Sequence, residues 1–223
     1  MRILIINPNS SQEMTAAIQR AAADYAGDAF EVETMATPGA PEYIDYYTDQ
    51  ALAAPGMMQI VRDNEAAFDA FVVACHCDPN LDLLKQITDR PVVGIGEASM
   101  KIASMLGHSF SVVSAGKHSI PNKEAVIRKY HLEGCCASVR GPKDDFDDPT
   151  VEGPYLSAAQ VALEEDLAEV IVLGCAGFAG MAEQMSAKLG APVLDGVVCG
   201  LMVAEGLVKA GYSTSKIRRY KPC

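Results

Sequence analysis

Two cysteines stand out by their settings. Cys75 closes the apolar run Phe71-Val72-Val73-Ala74, and Cys175 closes Val170-Ile171-Val172-Leu173-Gly174; small or turn residues and then a helical stretch follow each. A thiol placed there is expected to lie near unpaired backbone N–H groups and the positive end of a helix dipole, which eases its ionisation. Taken alone, either cysteine reads as a small buried hydrophobe. Two at matching positions point elsewhere. Facing each other across one ligand, a thiolate removes a proton from a carbon acid while the opposite thiol delivers one to the other face. One must start charged and the other neutral, so such a pair titrates as a coupled unit.

The neighbouring residues have double readings. Cys75-His76-Cys77-Asp78-Pro79 invites a zinc site, yet structural zinc uses two ligand pairs and no second pair of that form exists, so no metal is expected. His76 either touches a substrate, tunes the Cys75 thiolate, or is a satisfied histidine. Asn7-Pro8-Asn9-Ser10-Ser11 is helix punctuation, with Ser10 or Ser11 as N-cap, while Asn9 also offers an amide to a cleft. Ser114, at the end of Phe110–Val113, has the same two readings. Glu97 reads as a helix-start carboxylate. The glycines of Gly174-Cys175-Ala176-Gly177-Phe178-Ala179-Gly180 allow close backbone approach and free N–H donors. That segment is neither a dinucleotide fingerprint nor a P-loop.

The elements that must position these residues alternate. Apolar runs at Ile3–Ile6, Phe71–Ala74, Val92–Ile95, Phe110–Val113, Val170–Leu173 and Val193–Val198 read as strands. Helical stretches such as Ser11–Ala26, Gln50–Ala67, Asn122–Tyr130, Tyr155–Leu167 and Gly200–Lys209 separate them. This alternation predicts an α/β fold with parallel sheets, and strands apolar throughout predict sheets covered on both faces. The chain also repeats itself. Pro91 opens PVVGIGEASMKIA 16 residues after Cys75, and Pro192 opens PVLDGVVCGLMVA 17 residues after Cys175. IINPNSS precedes Cys75 much as VVSAGKHS precedes Cys175. Two pseudosymmetric lobes are therefore expected, residues 1–97 with 206–223 carrying Cys75 and residues 98–205 carrying Cys175. Ligands of open α/β sheets sit beyond the carboxyl ends of the strands, so the site belongs in the cleft between lobes.

The 223 residues carry a formal charge of −11, which argues against a phosphate-backbone partner. The acidic stretch Asp144–Asp148 reads as a solvated loop, and Tyr43, Tyr46 and Tyr47 as ordinary packing. No window approaches a membrane span, and MRILIINPNS is too short in apolar residues for a signal-peptide core. A cytoplasmic protein with free thiols, a small-molecule substrate and a homo-oligomeric state is expected.

Nearly end to end, the chain resembles the aspartate/glutamate racemase superfamily, and within it the hydantoin and allantoin racemases. The stretches that carry the resemblance are INPNSSQEMT, ACHCDPNLDLL, PVVGIGEA, FSVVSA, VALEEDLAEVIVLGCAGFAGM and PVLDGVVCGLMVAEGLVKAG. It implies a two-lobed fold, no cofactor, and two-base proton transfer at C5 of a 5-substituted hydantoin or allantoin, with Cys75 and Cys175 as the bases. It also implies that Asn9 and Ser114 help hold the substrate, with backbone amides after each cysteine, at His76, Cys77, Ala176 and Gly177, on its oxygens. Relatives commonly carry two threonines where this chain has Ser114-Ala115, an aromatic at His76, and an acidic or small residue at Cys77. The pocket is where this chain departs. Rival readings are a related isomerase or decarboxylase, or a thiol sensor built on Cys75 and Cys77.

Overall fold

In the computed structural model, residues 1–142 and 153–222 are described; the acidic stretch Asp144–Asp148 and the terminal Cys223 lie outside them. Strands β1 (Arg2–Asn7), β2 (Glu31–Ala36), β3 (Ala70–Val73) and β4 (Val92–Gly94) form one sheet in the order β2-β1-β3-β4. Strands β5 (Phe110–Val113), β6 (Cys136–Arg140), β7 (Val170–Leu173) and β8 (Val193–Leu194) form a second in the order β6-β5-β7-β8. Every pairing is parallel. The second sheet thus repeats the wiring of the first. The backbone repeats in detail: Phe71 N–H donates to the Pro91 carbonyl and Ile171 N–H to that of Pro192, both at 2.9 Å.

The helices are α1 (Gln12–Ala26), α2 (Tyr47–Asn64), α3 (Leu81–Ile87), α4 (Ile95–Leu106), α5 (Ile120–Lys129), α6 (Gly153–Glu164), α7 (Ala182–Leu189) and α8 (Gly196–Ala210). Alternation along the central strands explains the layers. Ile3, Ile5 and Val72 pack beneath α1 and α8, while Leu4, Ile6, Phe71 and Val73 pack against α2 and α3. In the second sheet Ile171 and Leu173 face α6 and α7, and Phe110, Val112, Val170 and Val172 face α4 and α5. Both faces are dry, which is why these strands are predominantly apolar; Ser111, the polar residue inside β5, shares a hydrogen bond with Ser138 of β6 at 2.8 Å.

Two helices change sides. Helix α8 follows β8, yet Val197, Leu201 and Ala204 pack in the core of the first sheet. Helix α4 follows β4, yet Met100 and Ala103 pack in the core of the second. The two helices lie against each other between the lobes. Among the described residues no helix is long and apolar enough to cross a membrane.

Edge strands β2 and β6 lie where the sequence reading placed none. Both are only partly buried, with Glu31 and Glu33 of β2 turned outward. The predicted strand Val193–Val198 is reduced to Val193–Leu194, because Asp195 caps the Val197 N–H at 2.8 Å and starts α8.

Candidate active site

Each site cysteine is delivered by the same local structure. The residue before it is held to the neighbouring central strand: Ala74 N–H donates to the Ile6 carbonyl at 2.9 Å, and Gly174 N–H to the Val113 carbonyl at 2.8 Å. The cysteine carbonyl then closes a tight turn, accepting from Asp78 N–H at 2.9 Å in one lobe and Phe178 N–H at 3.1 Å in the other. Gly174 is required by contact: a Cβ there would lie 2.8 Å from the Val113 carbonyl oxygen.

These turns do not place the thiols at long helices. A single 3-10 turn, Ala176–Phe178, follows Cys175, and α3 begins only at Leu81. The expected easing of ionisation is accordingly overturned at both cysteines. Burial pushes the Cys175 thiol up, against the nearby Lys123 ammonium and the Gly177 N–H, which donates to its Sγ at 3.4 Å. Cys75 is driven well up, first by its contact with Cys77 and then by burial. Desolvation outweighs one or two N–H donors when no full helix terminus is present.

Cys77 is the exception. Its Sγ lies 3.2 Å from the Cys75 Sγ. That contact moves the Cys77 thiol down, with Lys123 acting in the same direction against burial and Asp78. Cys77 also lines a pocket of about 240 Å³ between α2, α3 and α5, with Tyr47, Gln50, Asn122 and Val126.

Lys123 went unnoticed in sequence. It lies on α5 of the second lobe, only 7% exposed, with no hydrogen bond or ion pair to its ammonium among the described residues. Its charge acts on Cys75, Cys77, His76 and Cys175 alike. Cys75 in turn raises Cys175. The three thiols and this ammonium therefore share one electrostatic neighbourhood. Tyr155 of α6 is a further neighbour, pushed up to about 12 by burial and by Cys175, with its hydroxyl donating to the Ala115 carbonyl at 3.4 Å.

The other sequence candidates have defined places. Asn9 is buried; its Oδ1 accepts from Asn7 Nδ2 at 2.7 Å and from Ser11 N–H at 3.0 Å, and its Nδ2 donates to the Met14 sulfur at 3.1 Å. Ser11 is the N-cap of α1. Ser114 is buried and shares a 2.5 Å hydrogen bond with Ser119. His76 is buried with neither ring nitrogen hydrogen-bonded, and burial, then Lys123, hold it well below the usual histidine range, so it is neutral. Ala176 packs in the first lobe's core, while Gly177 is exposed beside Met14. Glu97 pairs with Lys85 at 2.7 Å, a structural role. Tyr43, Tyr46 and Tyr47 are more than half exposed rather than packed.

Asp78 is the anchor of the first cysteine loop. Buried, it accepts from Gly96 N–H at 3.0 Å, Glu97 N–H at 2.7 Å and the Tyr130 hydroxyl at 2.7 Å. Burial, with Glu97 nearby, raises its carboxyl to about 7.

Fold and site together describe a duplicated, all-parallel α/β protein with thiols presented at equivalent strand ends. The Asp/Glu/Hydantoin racemase family model matches residues 3–204. The hydantoin racemase of Pseudomonas sp. (strain NS671) is 38% identical over 99% of this chain and 91% of that protein. Among solved structures, the allantoin racemase of Pseudomonas fluorescens superposes with a TM-score of 0.94 at 35% identity, covering 100% of this chain and 97% of that one. The allantoin racemase of Klebsiella pneumoniae also superposes at 0.94, with 30% identity over 100% of this chain and 94% of that one. The chain belongs to the Asp/Glu/Hydantoin racemase family. It is an isomerase, and its reaction class is racemisation.

Proposed function

We propose that the protein racemises a 5-substituted hydantoin or allantoin at C5, without a cofactor, by proton transfer between Cys75 and Cys175. The observation that carries this reading is the equivalent delivery of the two thiols, each at the end of the same strand in duplicated sheets and close enough for Cys75 to perturb Cys175. The hydantoin and allantoin racemases similar to this chain support the substrate class.

The chemistry follows from the ring. The C5 proton is made removable by the adjacent carbonyl, and its loss leaves a planar enolate. One thiolate takes the proton and the opposite thiol returns one to the other face. In this reading, N–H donors in the segments carrying His76, Cys77, Ala176 and Gly177 receive the developing oxyanion, at about 3 kcal/mol per well-aimed donor. The Lys123 ammonium adds a fixed positive field. Asn9, Ser114 and Ala115, at the ends of β1 and β5, shape the remaining walls; Ala115 in place of a second hydroxyl leaves the pocket less polar on that side.

The test uses single enantiomers of allantoin and of a 5-substituted hydantoin in heavy water. Optical rotation should decay and C5 should gain deuterium, and Cys75→Ser and Cys175→Ser should each abolish both changes. Undiminished racemisation in either variant rules the two-thiol mechanism out. Decarboxylation of a malonate in place of racemisation, or oxidant-dependent mass changes at Cys75 and Cys77 without turnover, would replace the reading altogether.

A further inference from the structure

The two-thiol mechanism needs one proton missing from the pair, yet burial opposes a charge on either Cys75 or Cys175. Among the described residues no neighbouring base relieves this. His76 is neutral and does not hydrogen-bond to Cys75, and Asp78 is occupied by three donors. What Cys75 does touch is a second sulfur, 3.2 Å away, close enough for one thiol to donate to the other sulfur. Lys123, only 7% exposed as a residue, has no anionic partner for its ammonium among the described residues.

We propose that Cys77 is a third working thiol, a positioning residue that shares one proton with Cys75 across their contact and holds a negative charge beside the first base, with the Lys123 ammonium as counter-ion. This rests on the two-thiol reading of the reaction and supplies the charge which that reading requires. The resting site is Cys75–SH hydrogen-bonded to Cys77–S⁻, opposite a protonated Cys175. The proton passes from Cys75 to Cys77, which leaves Cys75 as thiolate. Cys75 takes the substrate proton and Cys175 gives up its own to the other face. The cycle ends with Cys75 and Cys77 protonated and the charge on Cys175, and proton exchange with water restores the start. No electron changes hands.

The groups that act on Cys77 define its titration. Cys75 and Asp78 face it from its own loop, Lys123 from α5, and Tyr47, Asp82 and Lys129 line the pocket on its other side. Of these, Cys75 and Lys123 favour the thiolate, while Asp78 opposes it.

The test follows ultraviolet thiolate absorbance against pH on the intact chain, for wild type, Cys77→Ser and Lys123→Met. Wild type should form one thiolate below the ordinary thiol range. Serine keeps the size and the hydrogen bond but does not ionise, so in Cys77→Ser this first step should rise by about one pH unit or more. The acidic limb of kcat/KM should rise with it, giving roughly a tenfold loss at neutral pH that is regained in base. Lys123→Met, which removes the counter-ion, should raise the first step and the acidic limb in the same direction. A Cys77→Ser protein that titrates and turns over like wild type overturns the proposal. The absorbance needs no substrate, so it separates a failed shared proton from a failed two-thiol mechanism, which the Cys75→Ser and Cys175→Ser activities report. If Cys77→Ser does not fold, iodoacetamide labelling of wild type decides. Rapid labelling within Cys75–Cys77 ahead of Cys175 in mildly acidic buffer is expected; slow, equal labelling of all three sulfurs overturns it.

Discussion

Asp78 and Asp195 tie the two cysteine loops to the helices between the lobes, and they do so from opposite ends. Asp78 sits in the loop after Cys75 and reaches forward to the first turn of α4, accepting from Gly96 and Glu97 N–H groups. Asp195 sits at the start of α8 and reaches back to the loop after Cys175, accepting from Gly180 N–H at 2.8 Å while capping Val197. The duplicated halves thus meet one mechanical need, a fixed thiol, with a carboxylate supplied from different segments.

The raised carboxyl of Asp78 makes stability depend on pH in a direction unusual for an acid. It ionises near 7 when folded and near its ordinary 3.8 when unfolded, so between those values the folded chain holds the extra proton. Its contribution is full below about pH 4, falls as pH rises, and levels off above pH 7. Asp78→Asn, which mimics the protonated acid, should lack this dependence. Urea unfolding of both proteins at several pH values should show the wild type losing up to about 4 kcal/mol relative to the variant between acid and neutral pH.

Asp195→Ala removes the N-cap of α8 and frees the Gly180 N–H. The loss should be about 1–2 kcal/mol in urea unfolding, and the Cys175 loop should exchange its amide hydrogens faster.

Gly174→Ala tests how closely the second loop is held. The added methyl meets the Val113 carbonyl at 2.8 Å and Val112 Cγ1 at 2.9 Å, so strand or loop must shift. A loss of about 1–3 kcal/mol is expected by thermal unfolding. Racemisation should fall more than stability alone requires, because the displaced segment carries Cys175.

Lys123→Met removes the positive charge common to the thiols. Iodoacetamide labelling of Cys77 and Cys175 at neutral pH should slow by roughly three- to tenfold, read by peptide mass, as their thiolate fractions drop. Lys123→Arg should label at nearly the wild-type rate.

The central strands were legible because both their faces are dry: every position of β3, β5 and β7 is buried, and Ser111 is the one polar residue among them. Edge strands β2 and β6 escaped for the opposite reason. Glu31-Val32-Glu33-Thr34 alternates charge with apolar residues on a solvent-facing edge, and Cys136–Arg140 is partly exposed throughout. Local sequence does not separate such runs from loops. Cys75 and Cys175 stand out through the repeat, which preserves their distance from landmarks such as Pro91 and Pro192. Lys123 had no such signal. A lysine on an amphipathic helix normally lies in water, and its site is completed by residues from distant parts of the chain. The direction of the thiol ionisation was misread for a related reason, since the depth of burial at a strand end comes from the assembled lobes.

The exchanged helices set how this molecule comes apart. Without α8 the first sheet keeps only α1 over Ile3, Ile5 and Val72, and without α4 the second keeps only α5 over Phe110, Val112 and Val170. Neither lobe is a self-sufficient folding unit, because each is sealed by a segment encoded in the other half. Unfolding should therefore be one cooperative event with no half-melted intermediate. By the same token, the seam on which the thiol loops are mounted is part of the core.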